Sequence, residues 1–146
     1  MSMKIVIPII PRGQHRARHG VQNGFSRTYK DPKQKHEEDV LQAFLVEHRP
    51  AEPLAGPVLL GVRLYLPIPI SKPKKWRAEA SAGIIRPTVK PDLDNAMKHL
   101  KDCLTTMRFW EDDRQVVEYL PGTGKYYSDQ PRWEIEIEPF RPGLAA

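Results

Sequence analysis

Cysteine is almost missing from this chain, since Cys103 is the only one among 146 residues. A single thiol excludes an intramolecular disulfide and a zinc site built on cysteines, and it favours a reducing compartment. Long hydrophobic runs are also missing. The longest apolar stretches, residues 5–11 and 57–66, fall short of the ~20 residues that a membrane-spanning helix needs. We therefore expect no membrane segment and no signal peptide.

The composition is otherwise that of an ordinary soluble domain. With 40% hydrophobic and 28% charged residues, the chain is neither mainly disordered nor a coiled-coil rod. Its length suits one compact domain, which we place over residues 1–146. The 15 prolines predict that loops make up much of the surface.

The net charge of +5 is unevenly distributed along the chain. Basic residues far outnumber acidic ones in residues 1–36 and 71–90, whereas acidic residues dominate residues 102–118. Two basic segments and one acidic segment favour a polyanionic partner held around an acidic site. The alternative is that the basic loops are simply solvated.

The pattern of apolar residues predicts six elements in the order β-α-β-α-β-β. Strands are predicted at residues 3–10, 58–66, 116–120 and 133–138, and helices at residues 31–48 and 92–107. The polar, proline- and glycine-rich segments 11–30 and 67–91 are predicted to be long loops. This order predicts an α+β fold, a single small domain in which helices pack on a mixed sheet.

The segment 90–98 carries the most chemical information. Pro91 favours an extended Lys90, so the helix begins at or just after Asp92. With Asp92 at the cap, its carboxylate and that of Asp94 can reach one point. Asp94, Lys98 and Asp102 then follow at steps of four, opposite a leucine-rich stripe. The alternatives are helix capping by aspartate and an exposed i,i+4 ion pair.

A second acidic group precedes the third predicted strand. Glu111, Asp112 and Asp113 lie between the second helix and that strand. Hard cations such as Mg²⁺ prefer carboxylate oxygens and water, so two acidic groups brought together would make a magnesium site. The alternative is an aspartate-rich surface turn.

Basic and aromatic residues alternate within both predicted loops. Basic side chains neutralise phosphates, and aromatic rings stack on exposed bases, so we predict DNA contacts there. For Trp76 the alternative is a ring that covers its own loop. The predicted contact residues are Arg12, Arg16, Arg18, Arg27, Lys72, Lys74, Lys75, Trp76, Arg77 and Lys90.

The two acidic motifs and their spacing resemble the RusA family of Holliday junction resolvases, which is common in phages and prophages. The close match covers residues 90–119. The resemblance implies that Asp92, Asp94 and Asp113 are catalytic and bind metal, and that Lys98 is catalytic. The adjacent Asp112 is a further candidate metal ligand, as a helper of Asp113 or a substitute for it.

The resemblance also implies an activity and its partners. It implies a Mg²⁺-dependent crossover junction endodeoxyribonuclease, with Mn²⁺ as a possible substitute, that resolves four-way junctions in recombination and repair. It implies a homodimer on branched DNA in the cytoplasm of a bacterial host, with no small-molecule cofactor and no membrane. Two alternatives stay open: a nuclease that acts on forks or flaps, and a DNA-binding module without catalysis.

Overall fold

The computed structural model describes residues 2–14, 18–22, 25–29 and 32–143, and for the two short middle stretches it describes the backbone alone. Short 3-10 turns at Val46–His48 and Asp113–Gln115 accompany the regular elements. These elements are β1 (Met3–Ile7), β2 (Arg18–Gln22), β3 (Phe25–Tyr29), α1 (Pro32–Leu45), β4 (Val58–Pro67), α2 (Lys74–Ser81), α3 (Leu93–Thr106), β5 (Val116–Tyr119), β6 (Gly124–Ser128) and β7 (Arg132–Pro139).

A five-stranded mixed sheet is built around β4. β7 pairs antiparallel with both β1 and β4, while β5 and β6 pair parallel with β4. β5 lies beside the first residues of β4, and β6 lies beside its last five. The two short strands therefore follow one another along the same edge of β4. β2 and β3 form a separate antiparallel hairpin.

One face of the sheet is buried under α1 and α3. Buried residues alternate with more exposed ones along β4 and β7, as expected of strands with one face against a core. Trp133, Ile135 and Ile137 are buried, as their alternation with glutamates predicted. From α3, Met97 and Leu100 close this core, which confirms the predicted apolar stripe and leaves the opposite side of the helix exposed.

The predicted α+β class and mixed sheet are confirmed, but the predicted element order is incomplete. Segment 11–30 contains the β2–β3 hairpin, and segment 67–91 contains α2, so neither is a plain loop. The strand predicted at residues 116–120 is followed by a separate strand, β6. The sequence also predicts that the first strand is an edge strand or ends at Pro8, which lacks a ladder donor, and β1 does lie at an edge of the sheet and ends at Ile7.

Weak burial explains why α2 was missed, and a turn explains why β5 and β6 are separate strands. α2 buries only Ala80 fully, so it lacks the apolar stripe that identifies a helix in a sequence. β5 and β6 are separated by a turn in which Gly122 has a φ of +91° and packs against the Arg63 side chain. Among the described residues, no helix is both long and apolar enough to cross a membrane.

Candidate active site

α3 begins directly after Asp92, the residue that the sequence placed at the helix cap. Its backbone is extended (φ −61°, ψ 137°), yet its side chain makes no capping hydrogen bond. Asp94 follows in the first turn, and both aspartates are exposed. Within the described ranges neither carboxylate has a hydrogen bond or an ion pair. Both are therefore available to a cation, and the hydrogen bond expected of a capping aspartate is not made.

Lys98 lies one turn after Asp94 on the exposed side of α3. Its Nζ is 3.3 Å from Oδ2 of Asp102, an i,i+4 ion pair in which the Lys98 side chain is 64% exposed. Asp102 also accepts a hydrogen bond from Nε2 of Gln14. The predicted polar row of Asp94, Lys98 and Asp102 therefore leads from the start of α3 to the segment that precedes β2.

A groove of about 440 Å³ opens beside Asp92. Its walls are residues 10–14 on one side and the end of β4 with residues 89–92 on the other. Asn95 joins the walls, because its Nδ2 donates to the carbonyl oxygen of Gln14 over 3.1 Å. Arg12 and Lys90, both predicted to contact DNA, are exposed where they line this groove.

The second acidic group forms a capped turn. Oδ1 of Asp112 accepts from the backbone N–H of Arg114 over 2.9 Å, and this hydrogen bond is the main cause that lowers the pKa of Asp112. Gln115 completes the turn: its Oε1 accepts from the backbone N–H of Asp112, and its Nε2 donates to the Leu54 carbonyl oxygen. Asp112 thus has a structural use, whereas the neighbouring Asp113 is not needed for the cap.

The two acidic groups lie near opposite ends of β4. Asp113 comes just before Val116, which pairs with Val58 at the start of β4. Asp92 lines the groove at Leu66 and Pro67, where β4 ends. α3 carries Asp94 in its first turn, and its 14 residues span about 20 Å at the helical rise of 1.5 Å per residue before the chain turns toward Asp113. A single chain therefore does not bring Asp113 to Asp92 and Asp94.

The arrangement of the other metal-ligating side chains agrees with this separation. Across the described residues, no three His, Cys, Asp or Glu side chains are grouped so that they could hold one metal ion. The sequence placed both acidic groups around one site, but strand pairing fixes them at different ends of β4.

The basic residues after β4 surround the short helix α2. Lys72, Lys74, Lys75 and Arg77 are exposed. Trp76 instead packs edge-on against Tyr127, with ring centroids 5.5 Å apart, beside a small apolar cluster. Its ring thus covers its own segment on that side. Of the remaining predicted contacts, Arg16 lies outside the described residues, and for Arg18 in β2 and Arg27 in β3 only the backbone is described.

Comparison with known proteins decides the family. The family model described as Endodeoxyribonuclease RusA matches residues 8–138. The chain belongs to the RusA family of endodeoxyribonucleases. The resemblance seen in residues 90–119 thus extends to almost the whole chain and includes both acidic groups.

Two curated relatives of this RusA-family chain are similar over long stretches. One, from Bacillus subtilis (strain 168), is named Uncharacterized protein YqaN and is 36% identical over 129 residues, or 87% of this chain and 89% of the relative. The other, from Lactococcus phage r1t, is named Crossover junction endodeoxyribonuclease rusA. It is 34% identical over 97 residues, or 66% of this chain and 67% of the relative.

Sequence patterns missed two residues that shape the RusA-family groove. Gln14 bonds to Asn95 in the first turn of α3 and to Asp102 further along the helix, and these contacts hold residues 11–14 against α3. Gly13 is the one hint in the sequence, because a glycine allows a close approach of two segments. In the structure a Cβ at this position would collide with the Asn95 side chain. The close approach itself depends on the folded chain, so no local spacing predicts it.

Proposed function

We propose that this RusA-family endodeoxyribonuclease resolves four-way DNA junctions in recombination and repair by paired, Mg²⁺-dependent hydrolysis of phosphodiesters. The observation that carries the proposal is the start of α3, where two unpartnered carboxylates stand beside an exposed lysine and a groove with basic walls. The name of the phage relative, a crossover junction endodeoxyribonuclease, supports the choice of substrate.

The donors at the start of α3 fit a hard divalent cation. Mg²⁺ is commonly bound by one or two carboxylates, with water and substrate phosphate completing its shell. Asp92 and Asp94 are exposed carboxylates that make no competing hydrogen bond among the described residues. Mn²⁺ accepts the same oxygen ligands. When bound, such an ion lowers the pKa of water and offsets charge on a phosphate.

We assign Lys98 the direct contact with the reacting phosphate. An ammonium group aimed at the oxygen that gains charge stabilises the transition state of hydrolysis. The Asp102 ion pair holds Lys98 on the exposed side of α3, and an exposed pair of this kind is worth only ~0.2–1 kcal/mol. Lys98 can therefore turn from Asp102 to a phosphate at little cost.

The substrate fits the charges around the groove. Arg12 and Lys90 flank Asp92, and the exposed lysines near α2 extend the positive charge beyond the end of β4. Phosphates neutralised by these side chains would bring a DNA strand to the carboxylates. Paired cuts need two active sites, so the proposal includes a homodimer with two-fold symmetry.

A cleavage assay on a synthetic four-way junction tests the proposed function. We expect two nicked duplexes in the presence of Mg²⁺ and none without it. Faster cleavage of a fork or a flap would contradict the choice of substrate. Tight binding without cleavage at any Mg²⁺ concentration would instead indicate a DNA-binding module.

Asp94→Asn is the sharpest single variant for this assay. It should abolish cleavage and leave junction binding unchanged or tighter, because Asp94 repels phosphate when no cation is bound. Asp39→Asn is the matched control, since Asp39 is exposed on α1 and its ion pair with Lys35 is 3.8 Å long. Near-normal cleavage by folded Asp94→Asn protein would rule out the metal role of Asp94.

A further inference from the structure

The segment that leads from α2 to Asp92 is poorly held by its own backbone. Among the described residues, no backbone-to-backbone hydrogen bond involves residues 86–91. Asp92, at the end of this segment, is proposed to bind metal. On the α3 side Asp92 is held by the Ala96 N–H, which donates to its carbonyl oxygen over 3.0 Å, so the direction from which the chain enters Asp92 depends on what fixes residues 86–91.

Two side chains fasten this segment to β6. Nζ of Lys125 donates a hydrogen bond to the carbonyl oxygen of Val89, three residues before Asp92. In return, Nε of Arg86 donates to the carbonyl oxygen of Lys125. The Arg86 guanidinium also lies 3.8 Å from the ring centroid of Tyr126. Residues 86–91 and β6 therefore each donate a side-chain hydrogen bond to the backbone of the other.

β6 offers a rigid support for these contacts. It pairs along its whole length with the last residues of β4. Tyr126 stacks on Tyr65 of β4 with ring centroids 5.4 Å apart, and its hydroxyl donates to the carbonyl oxygen of Gly122 over 2.7 Å. Gly124 leaves room for Arg86, because a Cβ there would come within 2.8 Å of Nη2.

We propose that Lys125 and Arg86 are positioning residues, which hold residues 86–91 on β6 and thereby fix the Asp92 carboxylate for metal binding. The proposal rests on the proposed metal role of Asp92. Neither side chain lines the groove beside Asp92, so each acts through the backbone that ends at that residue. Partners that orient a ligand in this way typically change metal affinity or activity by 10–100-fold when they are removed.

The test compares metal binding by Lys125→Met and Arg86→Lys with that of the wild type. Mn²⁺ is the probe, and its EPR signal reports binding without DNA. We expect the half-saturating Mn²⁺ concentration to rise about 10–100-fold in both variants. Arg86→Lys keeps the positive charge but loses the planar group that stacks on Tyr126. Its metal-free junction affinity should therefore stay within about twofold of wild type in a gel shift.

Lys101→Met is the matched control, because Lys101 also donates an Nζ hydrogen bond, to the hydroxyl of Tyr119 over 3.0 Å, but does not touch residues 86–91. It should bind Mn²⁺ like the wild type. Equal Mn²⁺ affinity in Lys125→Met, Arg86→Lys and Lys101→Met would overturn the positioning role, as would a loss confined to junction affinity. A wild type that neither binds Mn²⁺ nor cuts the junction would overturn the proposed function itself.

Discussion

At the scale of single residues, the variant Lys98→Ala distinguishes a structural role of Lys98 from a catalytic one. Lys98→Ala removes only an exposed ion pair with Asp102, so the melting temperature should hardly change. If Lys98 stabilises charge on the reacting phosphate, its loss should lower the single-turnover cleavage rate by about 100-fold or more. Rapid-quench cleavage at saturating Mg²⁺, together with a thermal melt, measures both quantities.

Two further variants complete the Lys98 comparison. Lys98→Arg keeps the charge but changes the shape and the hydrogen-bond geometry, so it should restore the rate only in part. Lys101→Ala is the control on the same helix, where the amine is bonded to Tyr119. Similar junction cleavage by Lys98→Ala and Lys101→Ala would show that the catalytic role assigned to Lys98 is wrong.

At the scale of elements, the basic surface around α2 is a candidate to bind the arms of the junction. Lys72, Lys74 and Lys75 are exposed, and none has an ion pair with an acid among the described residues. Each phosphate that they neutralise releases counterions, so junction affinity should fall steeply between about 50 and 200 mM salt. Replacing all three by alanine should flatten the slope of log K against log[salt], measured by fluorescence anisotropy.

A different helix, α1, provides the control. Lys33 and Lys35 of α1 are exposed lysines outside the α2 segment, so Lys33→Ala/Lys35→Ala tests the effect of lowering net charge alone. The triple variant should change the slope more than this double variant does. An unchanged slope in the triple variant would place α2 away from the DNA.

Elements that bury a regular stripe could be predicted from the sequence, and the others could not. α3 and β7 repeat apolar residues at the periods of a helix and a strand, so both were predicted within one or two residues. α2 was missed because only Ala80 is fully buried on it. The β2–β3 hairpin lacks such a stripe as well, and its glycines and arginines suited a loop equally well.

At the scale of the whole molecule, the residues of the site were easier to predict than their arrangement. Asp92 at the helix start follows from Pro91 and from the apolar stripe of α3. The distance from Asp92 to Asp113 cannot be predicted in this way, because it depends on the end of β4 with which β5 pairs. The hydrogen bonds of Gln14 and Lys125 likewise join segments that are far apart in the sequence. They form only when the chain has folded.

The separation of the acidic groups predicts an active site shared between two chains. Asp92 and Asp94 lie at the start of α3, which is about 20 Å long, and the pairing of β5 with the first residues of β4 holds Asp113 at the opposite end, so one chain does not complete the proposed ligand set. A two-fold axis that runs two α3 helices antiparallel would bring Asp113 of the partner subunit to this end. Each dimer would then contain two equivalent sites, as paired strand cuts require.

A mixed dimer of two inactive variants tests this arrangement. One chain carries Asp92→Asn and Asp94→Asn, the other carries Asp113→Asn, and different affinity tags isolate the mixed species. If the sites are shared, all three substitutions fall in one site of the mixed dimer and the other site keeps its wild-type residues. Nicking of a junction should then return at about half the wild-type rate. If each chain had its own site, both sites would be damaged. The differently tagged dimer of the double variant with itself should stay inactive, and equal inactivity of the mixed dimer would contradict the shared site.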